Sequence, residues 1–271
     1  YTHNVGLYVG SITSASEGNV AAVVLSAKAP DVWDGTTPKN GEVLPKIEVT
    51  GKQVETVRNR NLNFGGYYGS VQAAGTTLTL YKEKDYVQKL KLSNAVKTSQ
   101  LNEGGLIGDA ALQSFTIINQ TGNDEKVVLD TELEFSEDQQ KSNIGSMFGH
   151  VSGTFTIDDT FGGIQAKITT KSATLDPKIG DGTYGLGGII GKNKANITIK
   201  NLTVKLAIGD NKNAVGWTSA GASVGGVIGT NSGIITTDDN SNIKFNVGSE
   251  IINMSMPQYY GNFTGYNIGS I

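Results

Sequence analysis

Apolar residues recur along this chain in two patterns. The first is short: a glycine, one variable residue, two mostly apolar residues, and a second glycine. Seven copies occur, at Gly6–Gly10 (GLYVG), Gly65–Gly69 (GGYYG), Gly104–Gly108 (GGLIG), Gly145–Gly149 (GSMFG), Gly187–Gly191 (GGIIG), Gly225–Gly229 (GGVIG) and Gly265–Gly269 (GYNIG). Their starts lie 59, 39, 41, 42, 38 and 40 residues apart. The second pattern is period-two alternation. Val127, Leu129, Leu133 and Phe135 alternate with polar residues, as do Ile164, Ala166 and Ile168, and again Ile243, Phe245 and Val247. Such alternation predicts strands with one face buried and one in water. No stretch shows the 3.6-residue spacing of a helix, and glycine, threonine and asparagine disfavour one.

A near-constant period marks a repeat protein. Each unit reads as a short glycine-bounded apolar strand, a second strand about ten residues on and a third about twenty on. The second and third strands are predicted at Thr76–Leu80 and Gln88–Leu92, at Ser114–Ile118 and Val127–Phe135, and at Gly153–Ile157 and Ile164–Ile168; Val20–Leu25 and Gly233–Thr237 are further second strands. Ile197 and Ile199 share one parity, while Leu202, Val204, Leu206 and Ile208 share the other. A turn or bulge near Lys200-Asn201 is needed to keep both sets inward. The expected fold is all-β: a β-solenoid of six to seven repeats, with a β-propeller as the alternative closure. One domain spans residues 1–271, with a loop-like insertion within 28–63 that accounts for the long first interval. The insertion holds Pro30, Pro38 and Pro45, together with Trp33, Arg58 and Arg60, and is the expected place for a chain-specific contact.

The paired glycines are expected to be stacking corners. Glycine admits positive φ and close backbone approach. The apolar pairs between them (Tyr8/Val9, Tyr67/Tyr68, Leu106/Ile107, Met147/Phe148, Ile189/Ile190, Val227/Ile228) would then form an inward ladder with layers ~4.8 Å apart. An anion nest is the minor alternative for the same glycines.

Composition narrows the class. There are no cysteines, which excludes a disulfide framework, thiolate metal sites and a cysteine nucleophile. The net charge is −3 and only Arg58 and Arg60 are arginines, a poor match to a phosphate backbone, so nucleic acid is not an expected partner. No apolar run approaches the ~18 residues of a membrane helix. Glycine numbers 36 of 271, the signature of many short strands and tight turns. The chain opens on Tyr1 rather than methionine, which suggests a processed product or a fragment.

Candidate chemistry is sparse. His3 and His150 have no partner at ligand spacing in sequence, and His3 falls in an end expected to be flexible. Gly180–Gly185 (GDGTYG) matches G-x-G-x-x-G, but it leads into a glycine-rich strand instead of a helix and reads as a loop. Asp238, Asp239 and Asn240 open a run resembling an EF-hand loop. Ile243 stands where its glycine belongs and Ser249 where its glutamate belongs, so only a looser Ca²⁺ site, with Asp158 and Asp159 from another layer, is a candidate. No other metal or cofactor is expected. Tyr67, Tyr68, Tyr259 and Tyr260 are candidates for stacking on sugars, against the plainer reading that they pack. Threonines are frequent, but their offset drifts from repeat to repeat, against a regular ice-binding ladder.

Gly225–Ile235 (GGVIGTNSGII) resembles the GLUG repeat of bacterial surface proteins, and Gly187–Ile199 (GGIIGKNKANITI) is similar to it; Gly104–Gly108 is a weaker likeness. The resemblance covers the motif cores and implies a secreted or surface-anchored protein with an adhesive or structural role. The expected function is therefore a non-enzymatic extracellular or cell-surface structural protein that self-associates through its terminal layers into a fibre or surface layer, with a glycan or host surface as a further ligand. The alternative is a carbohydrate-binding or polysaccharide-degrading β-helix.

Overall fold

The glycine-bounded stretches prove to be bends between strands. In the computed structural model, Asn61–Gly65 is a strand, Gly66 and Tyr67 bend, and Tyr68–Val71 is the next strand. The same strand–bend–strand unit recurs from Thr98–Gly104 into Ile107–Leu112, from Gln139–Gly145 into Phe148–Ile157, from Gly185–Gly187 into Ile190–Ile199, and from Ser223–Gly225 into Ile228–Asn231. The structure describes residues 2–6, 9–13, 22–26, 47–49, 61–72, 77–82, 87–94, 98–112, 114–119, 127–135, 139–157, 161–170, 178–179, 185–199, 204–208, 215–217, 223–237, 254–255 and 267–269.

These residues form five sheets and no helix. The first sheet contains the strands that enter the bends, in chain order from Thr2–Val5 to Asn267–Gly269. The second contains the strands that leave them, from Val9–Ile12 to Ile228–Asn231, with Ile234–Thr237 also paired to Ile190–Ile199. A third joins Ala22–Ser26, Thr77–Lys82 and Ser114–Asn119. A fourth runs from Ile47–Val49 through Val87–Asn94, Val127–Phe135 and Phe161–Thr170 to Val204–Ile208. A fifth joins Lys178–Ile179, Val215–Trp217 and Met254–Ser255. Every pairing is parallel and joins one repeat to the next. A propeller blade pairs strands within a repeat, so this arrangement is not a propeller.

Hydrogen bonding passes through the bend without a break. The carbonyl at the third motif position accepts two N–H groups from the preceding repeat. Leu106 O takes the amides of Tyr67 and Tyr68 at 3.0 and 3.1 Å, and Met147 O takes those of Leu106 and Ile107, both at 3.0 Å. Ile189 O and Val227 O repeat the arrangement. The corner therefore leaves no orphan donor at these positions, and its side chains are free to face inward. Tyr67, Tyr68, Leu106, Ile107, Met147, Phe148, Ile189, Ile190, Val227 and Ile228 are all buried.

The reason for glycine at both ends is steric. A Cβ on Gly108 would lie 2.5 Å from Phe64 N, 2.7 Å from Gly69 O and 2.8 Å from Asn102 O. One on Gly104 would meet the carbonyls of Ile107 and Met147 and the amide of Gly149. The first glycine thus abuts its own bend and the next repeat, and the last abuts the first sheet of the repeat before it. Positive φ, the other expected reason, is found only at Gly153 (φ 98°) among the described glycines, outside the motif.

The structure departs from the expected motif at both ends of the chain. The register sets Gly225 beside Gly269, Val224 beside Ile268 and Ser223 beside Asn267. Gly269 is therefore the first glycine of a seventh corner, and Asn267-Ile268-Gly269 matches Asn143-Ile144-Gly145; Gly265 lies outside the described residues. Val9 is 39% exposed instead of inward. It sits on the edge strand of the second sheet, with a neighbour on one side only. Within 28–63, the window of the expected insertion, one strand of the fourth sheet is described. Ile47–Val49 is a strand paired with Leu92–Asn94. Trp33, Arg58 and Arg60 lie outside the described residues, as do Lys200-Asn201 and Ile243–Val247. His3, expected in a flexible end, is in a strand and pairs with Leu62.

The first sheet carries two unlike columns. On one face, Asn4, Asn63, Asn102 and Asn143 stack as an amide ladder. Asn63 Nδ2 donates to Asn4 Oδ1 at 2.8 Å, Asn102 Nδ2 to Asn63 Oδ1 at 2.8 Å, and Asn143 Nδ2 to Asn102 Oδ1 at 2.7 Å. The ladder stops at Asn143 because the next strand offers Gly185, and Asn143 Oδ1 is left buried without a partner. On the other face the column is apolar except for one residue: Val5, Phe64, Glu103, Ile144, Leu186, Val224, Ile268.

Candidate functional site

The second sheet turns one face inward and one outward. Val71, Ala110 and Val151 are buried in one column. The residue just after each motif's last glycine has the opposite parity and is part-buried or exposed, except Ser70, which is buried. Register aligns Ser11, Ser70, Asp109, His150, Lys192 and Thr230 in a column that crosses six repeats. Here His150 Nδ1 lies 2.7 Å from Asp109 Oδ1, and the two side chains are only 19% and 21% exposed. An ionised carboxylate only accepts, so opposite it Nδ1 is assigned as the donor of the pair. Gln72 Nε2 donates to Asp109 Oδ2 at 2.8 Å and to Ser70 Oγ at 3.1 Å.

No protein-family model matches this chain, and neither a curated protein nor a solved structure matches it. The site therefore has to be read from its own geometry. Nucleophilic relays place the hydroxyl on the imidazole and the carboxylate behind it. Here Ser70 is joined to the carboxylate side, through Gln72, and not to His150. The column can hydrogen-bond a polar ligand. It does not present a serine poised for attack.

A second pair of columns lies farther along the same strands. Thr156, Thr198 and Thr236 are in register, beside Thr154, Asn196 and Ile234. Thr154, Asn196, Ile234 and Thr236 are exposed. Each of these three threonines lies 11 residues beyond the first glycine of its own motif, so the repeat spacing itself sets them in register.

On the inward parity of the same strands, Asn193 and Asn231 each close a local turn and stack on each other. Asn193 Oδ1 accepts from Ala195 N at 2.9 Å, and its Nδ2 donates to Asn231 Oδ1 at 2.7 Å. Asn231 repeats the turn with Gly233. This is the Asn-x-Gly/Ala step that follows the motif in the two copies most like the GLUG repeat.

Of the other sequence candidates, Tyr67 and Tyr68 are each 3% exposed and pack in the interior, so they are not a sugar platform. Tyr259, Tyr260, Asp158, Asp159, Asp238, Asp239 and Asn240 lie outside the described residues, as does Gly180–Tyr184. Among the described residues, no three His, Asp or Glu side chains converge on a common point, and no helix is long and apolar enough to cross a membrane. The Asp109–His150 pair went unnoticed in the sequence because its members are 41 residues apart. That separation equals the repeat interval, and aligning the repeats on the last glycine would have found it.

Proposed function

We propose that the chain is a β-solenoid with one coil per repeat, serving as a non-enzymatic structural or adhesive module at the cell surface or outside the cell. The supporting observation is the pairing pattern: parallel strands, always between consecutive repeats, in one register from corner to corner. A stack of this kind grows by adding layers. Among the described residues the first sheet ends on Thr2–Val5 and Asn267–Gly269, each a parallel-strand template. The module self-associates through them. The likeness of Gly225–Ile235 to the GLUG repeat supports a surface location.

Seven layers at ~4.8 Å stack to only about 30 Å, so one copy is a short block and a fibre needs many. Analytical ultracentrifugation with negative-stain microscopy over a concentration series tests the reading. Filaments or stacks with an axial repeat near that height are expected. A particle that stays monomeric at high concentration refutes self-association, and a ring refutes the solenoid.

A second reading, carbohydrate binding, draws on the half-buried Asp109–His150 pair and the exposed Gln72 that donates to Asp109. Glycan-array binding that is lost in Asp109→Ala would favour it over a purely structural role.

A further inference from the structure

Glu103 occupies a position that every other repeat fills with a hydrocarbon. Its neighbours in register are Phe64 and Ile144, both fully buried, and Glu103 itself has no exposed surface. Neither carboxyl oxygen has a hydrogen-bond partner. The nearby hydroxyl of Ser142, on the same face of the adjoining strand, is likewise buried and unpartnered. We propose that Glu103 is a proton-operated latch: the neutral acid keeps the third repeat closed, and release of its proton to solvent opens the first sheet at that layer.

Among the described residues, nothing offers the carboxylate compensation. Asn61–Gly65 has no charged residue, and Glu103 is the only one in its own strand, Thr98–Gly104. Gln139–Gly145 brings Lys141, which is exposed and pairs with Gln100, on the opposite face. In the second sheet, Asp109, His150, Lys192 and Lys194 belong to the outward columns. The nearest described contact of Val127–Phe135 with the corner is Thr131, whose hydroxyl donates to Ser146 O, and this strand brings no cation among the described residues. An ionised carboxylate left in such a place is expensive enough that the group either stays protonated or reaches water.

Burial accordingly pushes the Glu103 carboxyl well above the usual carboxylate range. The folded chain then holds a proton that the unfolded chain has lost. Stability is greatest below the ordinary glutamate range and falls as pH rises from there towards the folded-state value, by up to tenfold in the folding constant per pH unit. Above the folded-state value the loss is complete and the layer is open.

The test is urea unfolding of the full chain and of Glu103→Gln between about pH 5 and pH 9. The wild-type folding constant should fall relative to Glu103→Gln as pH rises, and amide exchange at Leu101–Gly104 should quicken with pH more than base catalysis explains in the wild type alone. Parallel pH profiles for the two proteins overturn the proposal. Should Glu103→Gln fail to fold, Glu103→Leu serves as the reference. An infrared band of a protonated carboxyl, present at neutral pH in the wild type and lost on substitution, supports the latch; its absence refutes it.

Discussion

Replacing Gly108 by alanine tests the steric account of the corner. Three backbone atoms, Phe64 N, Gly69 O and Asn102 O, would lie 2.5–2.8 Å from the new Cβ. Each belongs to a strand of the first or second sheet, so none can swing aside as a side chain would. Overpacking of a core commonly costs about 1–3 kcal/mol, and crowding from three backbone neighbours puts Gly108→Ala at the top of that range or above, about 3 kcal/mol. The lower chain entropy of alanine in the unfolded state offsets under ~1 kcal/mol of it. Gly10 is the matched control. It holds the same motif position on the edge strand, and there the Cβ would meet Asn4 O at 2.8 Å, with the next atom at 3.7 Å. Its replacement should cost only about 1 kcal/mol. Thermal and urea unfolding followed by circular dichroism would read the difference. At roughly 2–4 °C per kcal/mol, Gly108→Ala should lower Tm by about 6–12 °C and Gly10→Ala by about 2–4 °C. Equal losses at the two sites would refute close approach as the reason for the last glycine.

Four other outcomes follow from the same contacts. Asn102→Leu strands Asn63 Oδ1 and Asn143 Nδ2 in the interior, and unfolding free energy should drop by about 2–4 kcal/mol. Asn143→Leu removes one ladder bond and an acceptor that already lacks a donor, so it should cost less than Asn102→Leu in the same titration. Gly153→Ala forces a side chain into positive φ and should cost about 1–2 kcal/mol, with Gly153→Asn milder. Ile234, 61% exposed on the last described strand of the second sheet, should accept lysine with no change in Tm; if the sheet edges associate, that variant should sediment as smaller particles than the wild type.

Much of the fold was legible before any coordinates. Strand placement followed the alternation closely: Val127–Phe135 is predicted and observed with the same bounds, and Val87–Asn94 and Phe161–Thr170 extend their predicted cores by a few residues at the ends. The strands that enter the corners were missed. Thr98–Gly104 reads TSQLNEG, and its burial on both faces lets asparagine and glutamate sit where alternation would demand apolar residues. The candidate site was less legible. Asp109 and His150 look isolated in sequence because the repeat interval separates them, and the pairing register alone sets them 2.7 Å apart.

What the sequence determined alone was the repetition itself and the all-β character. Both are properties of spacing: glycine pairs at a near-constant interval, and apolar residues at every second position. What only the tertiary structure decided was the use of each position. Neighbours in a parallel stack are a whole repeat apart in the chain, so the contacts that make Gly108 obligatory, complete the Asn4–Asn143 ladder and strand Glu103 between Phe64 and Ile144 cannot be read from local pattern. The glycine corner is the clearest case. Its recurrence is written in the sequence, but whether a glycine turns the chain or merely makes room depends on which backbone lies against it, and that is fixed by register between layers.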